Sequence, residues 1–262
     1  MTDAANAPAS EATTLDPRWL RKMALMVLLF GGFSLWGLYD ATVAYPQRGR
    51  EVADYALRDL IRVAEQANAL ERVSTPEPAK EFERLSVGKP DTDFDAAKLD
   101  WLKALKMVGR LAPSETTFAS REDVFAKRDR LDAARKPGSN KPSPLSTWDI
   151  PAQWVIFVGC GLIAVWIVVL ILRVRSVSYR WDASEKRLHL PDGQSLVPSD
   201  IAEFDKRKWH KFYIDLRIKP SHPTLADRVV SLDLYRYARL EGWVLEMEEA
   251  SGLGIADPPP KS

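Results

Sequence analysis

The chain has 262 residues, 46% hydrophobic and 28% charged, with a formal net charge of +1 at pH 7. That near-neutral balance lacks the basic footprint of a nucleic-acid binder and sets nucleic acid aside as a partner. The single cysteine, Cys160, excludes an intramolecular disulfide, and the length accommodates one or two small folded units beside membrane-spanning helices.

Residues 1–17 are small, polar and unpatterned, which predicts a disordered tail. Arg18, Arg21 and Lys22 then precede an uncharged run from Met23 to Tyr39. Extended to Tyr45, it predicts a first transmembrane helix over 20–45. Trp36, Tyr39 and Tyr45 suit an interfacial aromatic belt. The alternative is a signal peptide cleaved after Ala44. The long leader, the long apolar region, Trp36 and Asp40 favour a retained helix.

Residues 46–150 read as a helical extracytoplasmic segment. Val52, Ala56, Leu60, Val63, Ala67 and Leu70 recur at helical spacing, and Pro76 and Pro78 are expected to end that helix. Leu99, Leu102, Leu105 and Val108 predict a second helix before Pro113. A third starts at Ser120 with Asp123 as a capping-box partner, carries Val124, Phe125, Arg128 and Leu131, and stops at Pro137-Gly138. Asp91, Asp93 and Asp95 alternate as in a calcium loop, but without its glycine and terminal glutamate. They read as a helix-start charge cluster.

Gln153 to Leu172 is a run of uncharged, largely apolar residues. At ~1.5 Å per residue it spans roughly the 30 Å of a bilayer core, and it predicts a second transmembrane helix over 152–173. Arg18, Arg21 and Lys22 precede the first apolar run, and Arg173 and Arg175 follow the second. By the positive-inside rule both termini are cytoplasmic.

After the second helix the period changes to two. Val177, Tyr179 and Trp181 alternate with polar residues, Leu188 and Leu190 flank His189, and Asp192-Gly193 marks a turn returning through Ser195 to Val197. Phe212, Ile214, Leu216 and Ile218 define a strand over 212–219, and 229–234 another. Leu240, Trp243, Val244 and Met247 share one face of a closing helix over 237–250. The tail 251–262 is expected to be disordered. The hairpin VSYRWDASEKRLHLPDG, the stretch SDIAEFDKRKWHKFYIDLRI and the LDLYRY leading into the last helix resemble the pleckstrin-homology-like (PH-like) superfold, in its membrane-tethered bacterial form. The resemblance covers residues 176–250. It implies a small antiparallel β domain closed by a C-terminal helix, acting as a cytoplasmic binding or scaffolding module.

No catalytic constellation is legible. His189, His210 and His222 lack metal-ligand spacing, Cys160 lies inside the second apolar run, and no phosphate loop or nucleophile elbow occurs. The expectation is a non-enzyme without metal or cofactor. Two features stand out. Gly31, Gly32 and Gly37 in the first apolar run, with Gly159, Gly161 and Ala164 in the second, would allow close helix–helix contact. Lys206, Arg207, Lys208 and Lys211 surround Trp209 in a basic turn. Either Trp209 folds onto the sheet within a solvated turn, or the turn touches anionic membrane lipid or an acidic protein partner. The expected protein is an α+β, two-span protein of a bacterial inner membrane that acts as a binding scaffold. An accessory subunit of a membrane complex, a sensor relaying a signal from the outer segment, and an enzyme with an unrecognised site are the alternatives.

Overall fold

The computed structural model describes residues 10–134 and 140–253. The expected tails at 1–9 and 254–262 and the turn at Pro137-Gly138 lie outside them. In chain order, a short strand β1 (Glu11–Ala12) precedes helix α1 (Pro17–Tyr39), a π-helical turn (Asp40–Ala44) and α2 (Tyr45–Gln66). Helices α3 (Pro78–Ser86), α4 (Asp93–Met107), α5 (Pro113–Thr116), α6 (Arg121–Ala134) and α7 (Asp149–Arg175) follow. Strands β2 (Arg180–Asp182), β3 (Arg187–His189), β4 (Ser195–Leu196), β5 (Ile201–Asp205), β6 (Tyr213–Ile218) and β7 (Val229–Asp233) lead to α8 (Leu240–Ser251). The class is α+β, with two small antiparallel sheets.

Among the described residues, two helices are long and apolar enough to cross a membrane: the continuous stretch Pro17–Gln66 and α7. The first starts earlier than the expected residue 20. The Asp16 carboxylate accepts from the Arg18 and Trp19 backbone N–H groups at 2.7 and 3.3 Å, and Pro17 opens the first turn, where its missing N–H costs nothing. The π turn ends two residues before Pro46, whose ring crowds the preceding turn's carbonyl and which lacks an N–H to bond it. There the Trp36 indole N–H donates to Asp40 at 2.8 Å.

The chain divides into two compact units. Gly32–Gly161 contains a helical core in which Leu57, Leu60, Ile61 and Ala64 of α2 meet Phe94, Trp101, Leu102 and Leu105 of α4, with Leu85 and Val124 from α3 and α6. The predicted stripe on α2 is rotated. Ala53, Leu57, Ile61 and Ala64 are buried, Val52, Ala56 and Val63 are half-buried, and Ala67 is exposed. α2 packs against both α4 and α6, so its inward arc is wider than one seam and is centred between them. Pro78 does not end a helix as expected. α2 stops at Gln66, Asn68 adopts a left-handed conformation (φ 50°), and Pro78 sits in the first turn of α3, which the apolar pattern had not revealed. Asp95 and Thr92 cap α4: the Asp95 N–H donates to the Thr92 hydroxyl at 3.1 Å and that hydroxyl donates back to the Asp95 carboxylate at 2.8 Å. Ser120 and Asp123 form the expected reciprocal box at α6.

The second unit joins residues up to Gly31 with those from Leu162 onward. One sheet has the order β1-β2-β3-β4 and the other β5-β6-β7. The expected hairpin is present, with Trp181 opposite Leu188, and Gly193 makes the next turn at φ 85°. Ile214, Leu216 and Ile218 point into the core with Leu188, Leu196 and Leu232, and Leu240, Trp243, Val244 and Met247 of α8 cover them. Trp181 stacks on Trp243, centroids 6.1 Å apart.

The expectation of a disordered segment up to residue 17 is corrected for residues 10–16. β1 pairs antiparallel with β2, Thr13 N–H donates to the Tyr179 carbonyl, Asp16 N–H to Arg236, and Ala238 N–H to Thr14, each at 2.9 Å. These are backbone bonds, available to any sequence, which is why a polar stretch without periodicity forms them. Trp19, 4% exposed, continues the same core alongside Val174 at the end of α7.

Candidate functional site

The basic turn leaves β5 and returns into β6. A 3-10 turn (Trp209–Lys211) ends at Phe212, which adopts a left-handed conformation with φ 60° and hands the chain to β6. Phe212 therefore departs from the expected inward alternation and is 48% exposed. Its ring lies 5.4 Å from that of Tyr235. Trp209 is half-buried and packs against the β-domain core.

Three of the four cations are committed to carboxylates of the same domain. Lys206 pairs with Glu248 on α8 and lies 5.3 Å from the centroid of the Trp209 ring. Arg207 grips Asp205 through two guanidinium nitrogens, its Nε at 2.9 and 3.0 Å, and its backbone N–H donates at 3.1 Å; these bonds, the side chain's first, hold the Asp205 carboxyl well below the usual range. Lys208 reaches Asp215 at 2.9 Å. The Ser231 hydroxyl donates to Asp215 as well, and these bonds, Ser231 first, pull that carboxyl down. Lys211 is exposed and, among the described residues, has no ion-pair partner. The turn thus presents one uncommitted cation beside two exposed aromatic rings, Phe212 and Tyr213. Asp205 and Asp215 bracket the basic run in sequence, a signal of local neutralisation. Glu248, far along the chain, gave none.

The small residues of the apolar helices divide by position. A Cβ on Gly37 would lie 3.0 Å from the Gln153 carbonyl oxygen and from the Phe157 nitrogen, and one on Gly161 would lie 3.1 Å from the Ser34 hydroxyl. At Gly37 the nearest neighbours are backbone atoms of α7 that cannot turn aside, whereas at Gly161 the neighbour is a single side-chain hydroxyl. Gly31, Gly32 and Gly159 meet nothing within 4 Å, so close packing gives them no role. Ala164 is half-buried, and so is Cys160.

His222 is buried in the turn before β7. Its Nδ1 accepts from the Thr224 and Leu225 N–H groups at 3.2 and 3.0 Å, and its Nε2 faces the Ser195 carbonyl at 3.3 Å. These contacts describe a turn-closing histidine. Among the described residues, no group of three or more His, Cys, Asp or Glu side chains could hold a metal ion. Compared with known proteins, the chain matches no family model, no curated sequence and no solved structure.

Proposed function

We propose that this is a membrane-anchored binding and scaffold protein of a bacterial inner membrane, whose C-terminal domain is PH-like and contacts a protein partner through the tip at Lys211, Phe212 and Tyr213. Membrane insertion is supported by exposure. Only 11% of the apolar window of each long helix is buried, and Leu28, Trp36, Val155 and Trp166 are all at least 65% exposed. A soluble protein rarely leaves so continuous an apolar surface uncovered. The PH-like reading is supported by a four-stranded and a three-stranded antiparallel sheet with one C-terminal helix.

The observation that carries the functional reading is the internal pairing of Lys206, Arg207 and Lys208. Cations already held by carboxylates add little attraction to an anionic leaflet. Exposed aromatic rings beside a single lysine are the side chains that anchor protein interfaces. A photo-crosslinker in place of Phe212, in the full chain in cells, is expected to give a discrete protein adduct that Lys211→Ser weakens. Adducts to lipid alone would return the turn to the membrane surface, and no adduct would remove it as a contact.

Both termini are proposed to be cytoplasmic, on the basis of Arg18, Arg21, Lys22, Arg173 and Arg175. The pairing of β1 with β2 supports a common side for the two ends. In a Cys160→Ser background, an impermeant thiol reagent on intact cells should label Val87→Cys and spare Ala183→Cys. The reverse pattern would invert the topology. A relay reading has one specific observation in its favour: Trp19 of α1 and Val174 of α7 enter the same core, so relative movement of the two helices would strain the β domain.

A further inference from the structure

Within the helical unit, α2, α4 and the extended stretch before α7 line a half-open cavity of about 290 Å³. Its apolar lining comes from Val52 and Ala56 on α2, Ala97, Ala104 and Met107 on α4, and Leu145, and Tyr55 also lines it, with the Lys141 ammonium 5.6 Å from its ring centroid. Alanines at three of these positions leave the space that larger side chains would fill. The volume is about twice that of a dry cavity that takes up benzene, enough for a chain of about ten to twelve carbons. Gly49, also in the wall, comes four residues after Tyr45 on an unbroken helix, and Leu145 comes four residues before Asp149 opens α7. One edge of the cavity, at Gly49 and Leu145, therefore lies close in sequence to both points where the chain meets the apolar helices, and the rest extends along α2 as far as Asp59.

The charged lining groups, exposed at Asp100, Lys103 and Lys141 and half-buried at Asp59, have a net sign. Asp59 is held by Arg62 at 2.6 Å. Lys103, Lys141 and Asp100 have no ion-pair partner among the described residues. Two lysines against one unpaired carboxylate leave one excess positive charge beside an apolar interior. An alkyl tail with a single negative head satisfies both features, whereas a cationic head would meet the lysines and a neutral one would leave them unused.

We propose that this cavity binds a single-chain lipid carboxylate, a fatty acid drawn from the bilayer, with its tail between α2 and α4 and its head at Lys103 and Lys141. The source of the ligand rests on the membrane reading above; the cavity chemistry does not.

The test uses the full chain in nanodiscs of zwitterionic lipid, with radiolabelled laurate as the probe and dodecanol and dodecylammonium as competitors. Laurate should bind saturably and be displaced by unlabelled laurate far better than by either competitor. Replacing both lysines, Lys103→Gln with Lys141→Gln, should weaken laurate by about tenfold or more while leaving dodecanol unchanged. Ala97→Leu should abolish binding by filling the cavity, and Ala56→Leu serves as an independent filling variant should the first fail to fold. Absence of saturable laurate binding, or dodecylammonium competing as well as laurate, overturns the proposal. Alkaline carbonate washing of native membranes reads the membrane reading separately. Release of the chain into the wash with laurate binding intact would remove the bilayer as source and keep the site.

Discussion

The Ser34 hydroxyl donates a hydrogen bond to the Phe157 carbonyl at 2.8 Å, from α1 to the backbone of α7. A hydroxyl can reach a main-chain oxygen on another helix only where the axes come close, and Gly37 and Gly161 provide that approach. A Cβ built at Gly161 lies 4.0 Å from that of Ser34, inside the ~3.5–4.5 Å range of disulfides. Ser34→Cys with Gly161→Cys, in a Cys160→Ser background, should therefore oxidise readily within one chain, detected by mass as the loss of two alkylatable thiols. Gly31→Cys with Gly159→Cys should stay reduced, since neither position meets an atom within 4 Å.

The β domain depends on residues that precede α1. Trp19 is buried in the same core as Val174, Tyr179 and Tyr237, and Arg239 pairs with Glu11 at 2.7 Å. Trp19→Ala should cost about 3–5 kcal/mol, the usual toll for removing a large buried aromatic. Hydrogen exchange of β6 amides in the full chain should speed up accordingly, while α4 amides, in the other unit's core, should be unaffected. A fragment starting at residue 176 lacks both β1 and Trp19 and should melt below the intact domain. Equal melting would mean that the N-terminal segment contributes nothing to stability.

What the sequence revealed follows physical lines. The apolar helices were legible because an uncharged run of membrane length has few other meanings. β6 and α8 were legible because one face of each is buried and the other is wet, which imposes period two and period 3.6. β5 was hidden by a bulge between Ile201 and Glu203 that breaks the alternation, and β1 because its bonds are main-chain. On α2 the helical period is legible but the centre of the buried face is not, because two neighbouring helices share that face. The basic turn was legible as charge. Its neutralisation by Glu248 depends on where α8 packs, which spacing does not encode. Phe212 left the strand pattern because its backbone turns left-handed there.

Acid should loosen the junction of α3 and α4. Hydrogen bonds from Arg84, at 2.9 Å, pull the Glu81 carboxyl from its ordinary 4.5 down to about 2 despite partial burial, and Lys98 at 3.3 Å adds to the effect. A carboxyl depressed by folding stabilises the folded state above its unfolded value, and that contribution is lost as pH falls through the folded one. Stability should therefore fall between about pH 4.5 and pH 2. Glu81→Gln should flatten this part of the profile in denaturation of the full chain measured across a pH series. Parallel profiles for the two proteins would show that other carboxyls carry the acid sensitivity.

Gly49 offers a test in which two effects oppose each other. It sits inside α2, where alanine is favoured over glycine by about 1 kcal/mol in an open helix. A Cβ there would lie 2.1 Å from Val108 Cγ1 and 2.8 Å from Leu145 Cδ1. Valine is stiff at χ1, so Val108 cannot swing away without moving its backbone, and overpacking of this kind costs about 1–3 kcal/mol. The clash should win, and Gly49→Ala should lower the melting temperature. The same change at Gly31, where nothing lies within 4 Å, should leave it unchanged or raise it. Adding Val108→Ala to Gly49→Ala removes the nearest obstructing carbon and should return part of the loss, a coupling that two independent sites would not show. A Gly49→Ala protein more stable than the parent would mean that α2 and the stretch at Leu145 are not packed this closely.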